Sequence, residues 1–432
     1  MSKKESFSII SLGCPKNTVD SEILKGRLIR SDFAYRPEPE DAEVVIINTC
    51  GFIQPAREES IETILEVIDL KSRRQIQKVF VVGCLSQRYA TELRKELPEV
   101  DFIAGVESHE EVLRELHGGP SGVCGPEELR SLMTPGHYAY LKIAEGCDNR
   151  CAFCSIPLIR GKQRSRSIAS LLQEARYLNQ LGVQELILIS QDLTRYGSDL
   201  PGKPTLYALL EELLAAKLFP WVRLLYSNPD FWDPRVNRLF TKYDSLCAYI
   251  DIPVQHAAPR ILKQMRRAQD GPGIRRILQR IRREIPNVAL RTSVMVGYPG
   301  ESEADFDELL DFIEDIRFER LGVFTYSQEE ETEAARSEDD VSEEEKERRR
   351  EIVIQLQWNI SREFAEKQVG KSLQVLIERE SEGLYEGRSE WDAPEIDCLV
   401  KIQSDRTLKP GEFRKVEILG IDDLDLKGTI RR

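Results

Sequence analysis

Cys147, Cys151 and Cys154 form a C-x3-C-x2-C pattern on one short stretch, and this spacing constrains the chain more than any other feature. Thiolates are soft ligands suited to iron–sulfur clusters. Three of them on one loop can hold three irons of a cubane, leaving the fourth iron open to a small molecule. The competing assignment is a structural zinc loop. Zinc normally takes four ligands, and no Cys or His lies close downstream to supply the fourth.

The bulk numbers narrow the setting. A chain of 432 residues suggests two to four domains, and 41% hydrophobic content is enough for real cores. No apolar run reaches the roughly 18–20 residues of a membrane span. The N-terminus, MSKKESFSII, lacks the long apolar region and cleavage site of a signal peptide. The nine cysteines are therefore expected in a reducing cytoplasm, as metal ligands or buried thiols and not as disulfides. The net charge of −13 argues against bulk attraction to nucleic acid and fits a basic protein partner better. Four histidines leave little material for a His-rich metal site.

The first segment, 1–130, alternates strands (Phe7–Leu12, Val44–Asn48, Lys78–Gly83) with helical patterns near Thr18–Arg30, Pro55–Lys71 and Ser86–Leu97, which indicates an α/β domain with a mainly parallel sheet. Each strand runs into a cysteine: Cys14 in LGCPKN, Cys50 in NTCGF and Cys84 in VGCLSQ, at intervals of 36 and 34 residues. Sites in doubly wound sheets gather at the carboxyl ends of the strands, so the three are expected to converge as a second cluster site. Buried structural thiols would sit within strands instead. The adjacent Gly13, Gly51 and Gly83 are read as allowing backbone to approach a ligand closely.

After a Gly/Pro/Ser-rich loop (Gly118–Pro126), six strands recur at Tyr138–Ile143, Glu185–Ser190, Val222–Tyr226, Cys247–Pro253, Ala289–Val296 and Leu321–Thr325, with helices between them, for example Ile168–Leu181, Thr205–Lys217 and Asp305–Ile316. This is a partial (β/α)6 barrel over 137–365, with the cysteine loop after its first strand, where barrel chemistry is carried. The charge-dense Ser337–Gln368 reads as a solvated helix bridging domains. Residues 369–432 hold short β-type stretches with Gly turns and suggest a small five-stranded β-barrel of the oligonucleotide-binding kind. From Lys371 onward fourteen acidic residues face eleven basic ones, so this is no strongly basic module. Cys124, Cys247 and Cys398 have no partners at ligand spacing and are read as non-ligands.

The segment Ala144–Pro157, with aromatic Phe153 before its last cysteine, resembles the signature of radical S-adenosylmethionine (SAM) enzymes. Together with Cys14, Cys50, Cys84 and the C-terminal barrel, the whole chain resembles the radical SAM methylthiotransferases. These are α/β proteins with an N-terminal methylthiotransferase domain, a radical SAM barrel and a TRAM domain. The stretches SLGCPKN–TVDSE, HYAYLKIAEGCDNRCAFCSIPLIRGKQRSR, LISQDLTRYGSDL, YIDIPVQHA, GVFTYSQEE and EWDAPEID are similar to the branch that methylthiolates the β-carbon of an aspartate in the twelfth small-subunit ribosomal protein. The sister branch acts on tRNA adenosine; the acidic balance disfavours it here. A non-catalytic iron–sulfur sensor would leave the barrel and its SAM-like loops unexplained.

The resemblance implies two [4Fe-4S] clusters and SAM. The Cys147/Cys151/Cys154 cluster would reduce SAM to a 5′-deoxyadenosyl radical that takes the aspartyl hydrogen. The Cys14/Cys50/Cys84 cluster would present the sulfur, a second SAM would give the methyl group, and a reducing protein such as a flavodoxin would supply electrons. Phe153, Gln191, Asp192, Gly297 and Gly300 are candidate SAM contacts. Arg160, Lys162, Arg164 and Arg166 read as a solvated basic loop, with a substrate carboxylate as the alternative, and His256 as a hydrogen-bonded structural residue.

Overall fold

The computed structural model describes residues 4–117 and 130–430, so the Gly118–Pro126 loop and Cys124 lie outside the described residues. The β-branched runs Val44–Thr49 and Lys78–Gly83 are almost wholly buried. Strands buried on both faces call for helices on both sides and a parallel sheet. The five strands stand in the order Ala34–Tyr35, Ser6–Ser11, Val44–Thr49, Lys78–Gly83, Phe102–Ile103, all parallel. The strand order reverses between Ser6–Ser11 and Val44–Thr49, and the loops of Cys14 and Cys50 leave from these two strands, at the place where such sheets bind ligands.

Six parallel strands build the central unit: Tyr138–Lys142, Glu185–Ile189, Trp221–Leu224, Leu246–Asp251, Ala289–Val296 and Arg320–Thr325. Each pairs with the next, and the first and last are not joined. Alternate side chains divide the sheet into two faces. Leu290, Val294 and Val296 join the core shared with the helices. Tyr138, Tyr140, Ile187, Trp221 and Tyr249 line the concave face, where Val19 of the N-terminal unit and Leu376 and Ala393 of the C-terminal unit pack on them.

The C-terminal unit is a closed five-stranded barrel filled by Val375, Ile377, Val400, Ile402, Val416 and Ile418. Its segment Glu390–Asp397 enters the foot of the central barrel. Arg223 donates to the Glu390 carbonyl at 2.7 Å, Tyr138 to Glu395 at 2.8 Å and Tyr249 to Asp397 at 2.7 Å, while Arg320 pairs with Asp392. Arg388 and Arg223 both grip Glu185, and all three are buried.

The charge-rich stretch departs from its expected solvated state. It forms one helix, Glu343–Glu366, but Val353, Ile360 and Ala365 are buried, and even Lys346 and Arg349 are covered. The reason is local pairing. Lys346 is neutralised by Asp339 and Glu343, and Arg349 by Glu301 and Glu345, so their stems pack while their charges stay matched.

Candidate functional site

Cys14 caps the helix Pro15–Arg30, Cys50 follows its strand directly, and Cys84 opens the helix Cys84–Glu96. The three loops touch because glycines let them. A Cβ on Gly13 would stand 2.8 Å from the Cys50 sulfur, and one on Gly51 would stand 2.7 Å from the Leu85 backbone. One on Gly83 would stand 2.6 Å from the Thr49 carbonyl. At these three positions the glycines give loop room to loop. Asn17 ties the set together. Its amide donates to the carbonyls of Leu12 (2.9 Å) and Thr49 (3.0 Å), and its oxygen lies 3.7 Å from the Cys84 sulfur.

The other triad sits after the first barrel strand. The Asn149 amide N–H donates to the Cys147 sulfur at 3.4 Å, and a guanidinium nitrogen of Arg267 lies 3.9 Å from the Cys151 sulfur. Asp192 braces this loop: it accepts from Asn149 at 2.7 Å and from Asn228 at 3.2 Å, and also from Thr194. Gln191 donates to Glu145 at 2.9 Å, but its oxygen is buried without a partner, as are the hydroxyls of Ser190 and Ser227. Buried polar atoms are rarely left unpaired. Three of them at neighbouring strand ends mark a place built for a polar ligand. Phe153 packs beside Ala152, Tyr298 and Tyr326. Gly297 and Gly300 both have positive φ, and the space beside Gly297 is filled by the Lys346 stem. His256 accepts from the Ala258 amide through Nδ1 at 3.0 Å, and its Nε2 lies 3.7 Å from Glu301.

Arg160 connects the two triads, and so the basic run is not uniformly solvated. It is buried, donating to Asn17, to Asp20 at 3.1 Å and to Glu145 at 2.9 Å. Lys142 joins the same two carboxylates. Burial opposes ionisation of Glu145, but Lys142 and Arg160 outweigh it and hold the carboxyl well below its ordinary range. The helix that Arg160 ends, Ile156–Arg160, packs on the helix that Cys84 begins. Arg164 instead pairs with Glu107 at the surface, Arg166 pairs with Glu174, and Lys162 is exposed. Cys247 and Cys398 lie near Arg223 and Arg320 at the barrel foot.

Burial is the main force on the thiols. It pushes Cys147 up to about 11 and Cys84 and Cys154 up to about 12, and raises Cys50. Such thiols become thiolates only against a strong local positive charge, which bound iron supplies. Among the described residues no three His, Cys, Asp or Glu side chains are gathered around a point that would hold a single metal ion. A cubane asks for a wider set, one thiolate for each of three irons, and the two all-sulfur triads fit that demand.

Asn17, Lys16, Asp20 and Glu145 were not singled out from the sequence. Lys16 and Asn17 stand two and three residues after Cys14 and Glu145 precedes Cys147 by two residues, so nearness to the ligands was the available signal.

A partial (β/α)6 barrel with a cysteine triad at its mouth, capped by an α/β domain carrying a second triad, is the architecture of a radical SAM methylthiotransferase. Residues 6–105 match the family described as Uncharacterized protein family UPF0004, residues 141–313 the Radical SAM superfamily and residues 369–430 the TRAM domain. The chain is 44% identical to the ribosomal protein uS12 methylthiotransferase RimO of Acetivibrio thermocellus, covering 99% of this chain and 98% of that protein. It is 45% identical to the RimO of Aquifex aeolicus, covering 98% and 96%. Among solved structures, the radical SAM methyltransferase TsrM from Kitasatospora setae, with cobalamin and a [4Fe-4S] cluster bound, is similar in fold. Its TM-score is 0.55 at 14% identity, covering 89% of this chain and 77% of that one. The chain belongs to the RimO family of methylthiotransferases, enzymes whose cofactors are [4Fe-4S] clusters and SAM.

Proposed function

We propose that this protein methylthiolates the β-carbon of an aspartate in ribosomal protein uS12, converting C–H to C–S–CH3. The observation that carries the reading is the chain of contacts from Asn17, beside Cys84, through Arg160 to Glu145 near Cys147, which ties the loops of the two cysteine triads to each other. Cys14, Cys50 and Cys84 take one [4Fe-4S] cluster; Cys147, Cys151 and Cys154 take the other, where the chemistry starts. Phe153, Gln191 and Asp192 contact SAM, with the turn at Gly297 and Gly300 as backbone rim. When bound, the clusters and SAM supply the radical, the sulfur and the methyl group that no side chain provides.

The chain's own residues position and enclose. Asp192 fixes the cysteine loop through Asn149. Ser190, Gln191 and Ser227 offer their unpaired polar atoms to the ligand. Arg160 keeps the cap seated, and the Glu390–Asp397 segment keeps water out from below. A protein substrate is favoured over tRNA because several of the barrel's basic residues are matched by acids. Among the described residues Arg379 pairs with Glu386, Lys401 with Asp422, Arg414 with Glu412 and Lys427 with Asp422, which weakens the pull of the barrel on phosphates. The divisions 1–130, 137–365 and 369–432, a cytoplasmic setting and a flavodoxin-like reductant belong to the same reading. Among the described residues no helix is long and apolar enough to cross a membrane.

The test uses anaerobically reconstituted, reduced protein with SAM and uS12, with tRNA run in parallel, read by mass spectrometry. A methylthio gain on one uS12 aspartate, lost in both Cys14→Ala and Cys151→Ala, is the expected result. A gain on tRNA alone overturns it.

A further inference from the structure

Lys16 is the second residue of the helix that Cys14 caps, and it is only 8% exposed. Its ammonium lies 3.1 Å from the centre of the Tyr226 ring, across the boundary between the cap and the barrel. It forms no hydrogen bond or ion pair among the described residues. A buried ammonium without an anionic partner is costly, and every carboxylate near it is already committed elsewhere. Asp251 accepts from Arg291 at 2.9 Å and from the Tyr226 amide at 2.9 Å. Glu145 is taken by Lys142, Arg160 and Gln191, and Asp20 by Lys142 and Arg160. Of the acidic groups near the ammonium only Cys14, itself a cluster ligand, is not already paired, so no carboxylate among the described residues balances this positive charge.

The platform beneath it is also strained. Tyr226 has φ +67°, a left-handed conformation that a bulky residue adopts only when its surroundings enforce it. Here the Asp251 carboxylate holds the Tyr226 amide and fixes the ring under the ammonium. Two costly features, an unmatched buried cation and a forced backbone, meet at one spot beside a cluster ligand.

We propose that Lys16, resting on Tyr226, grips the side-chain carboxylate of the substrate aspartate between the two triads. This rests on the uS12 reading and adds the residue that selects an acidic side chain. The chemistry suits it: the carbon to be thiolated is bonded directly to the carboxylate carbon, so a hold on the carboxylate positions the reacting C–H one bond away. The contact supplies the missing counter-charge and makes a charge-assisted hydrogen bond.

The experiment compares uS12 with a variant carrying Asn at the target position, using wild-type, Lys16→Gln and Lys16→Arg enzymes matched for iron content. Methylthio product and 5′-deoxyadenosine are both quantified, and the electron paramagnetic resonance spectrum of each reduced enzyme is recorded. The expected result is that Lys16→Gln lowers kcat/KM for the aspartate substrate on the order of 10- to 100-fold, mostly through KM. The preference for Asp over Asn collapses with it, and Lys16→Arg restores part of both. Lys16→Gln with its Asp-over-Asn preference intact overturns the proposal. So does an altered cluster spectrum with unchanged preference, which makes Lys16 a counter-charge to the cluster. A wild-type enzyme that leaves uS12 unmodified removes the functional reading itself, and this proposal with it.

Discussion

Arg160 and Asp20 come from different domains, yet their charged groups meet at 3.1 Å with both side chains more than nine-tenths buried. Glu145 and Lys142 complete a four-charge knot between cap and barrel. Removing one member of a buried network costs more than the network contributes, because the remaining charge is stranded. Arg160→Met is expected to destabilise the protein by about 3–5 kcal/mol, seen as a lower midpoint in urea, while Arg160→Lys retains part of the loss.

A second tie runs from the barrel to the cap. Glu329 pairs with Arg57 and, at 3.0 Å, with Arg88, which also donates to the carbonyl of Gly51 at 3.2 Å, next to Cys50. Glu329→Gln weakens this anchor and lets the Cys50 loop drift from the barrel mouth. SAM cleavage then runs ahead of product, and the ratio of 5′-deoxyadenosine to methylthiolated uS12 rises severalfold. An unchanged ratio would show that the knot around Arg160 seats the cap alone.

Each triad is expected to hold its own cluster. Cys14→Ala and Cys151→Ala each lose about half the iron of the reconstituted protein, since two clusters of equal size share it. Cys247→Ala and Cys398→Ala lose none. Iron and sulfide analysis after anaerobic reconstitution distinguishes these results.

Acid weakens the fold through buried carboxylates. Burial opposes ionisation of Glu174 and Glu185, but Arg166 with Arg130, and Arg223 with Arg388, outweigh it and hold both below the ordinary 4.5. Below about pH 4.5 the unfolded chain binds protons that the folded state refuses, so stability falls with pH there. Glu185→Gln removes its share of that slope, measurable by denaturation between pH 5 and pH 3, at a constant cost from the stranded Arg223, while Arg388 keeps Glu378.

His109 gives an earlier loss. Burial is the chief cause that lowers it from 6.5, assisted by Arg27 and Lys142 and countered by Asp20, whose carbonyl lies 3.0 Å from Nε2. The folded state keeps it neutral while the unfolded chain protonates below about 6.5. Stability therefore drops as pH falls from 7 towards 5, and His109→Gln flattens that interval.

How far the sequence revealed this depended on the range of the forces involved. Ala289–Val296 and Lys78–Gly83 were legible to the residue, because an apolar strand between turns is a local pattern. The positions of Cys14, Cys50 and Cys84 at strand ends were legible because strand boundaries are also local. Arg160 was not, since its decisive partners, Asp20 and Asn17, stand 140 and 143 residues away. The helix Glu343–Glu366 was found but misjudged: its charges signal solvent, and only the fold brings Glu301 and Asp339 to neutralise them. EWDAPEID stood out as a motif, yet its use as a docking segment depends on strand ends that only the folded barrel brings together.

That docking segment acts as a depth gauge. With Asp392 and Asp397 set against Arg320, Arg291 and Tyr249, the channel has a floor, and the cap forms its ceiling. On the proposed reading a polypeptide substrate meets this floor and goes no deeper, so how far the target residue projects from its own protein counts before any chemical group is recognised.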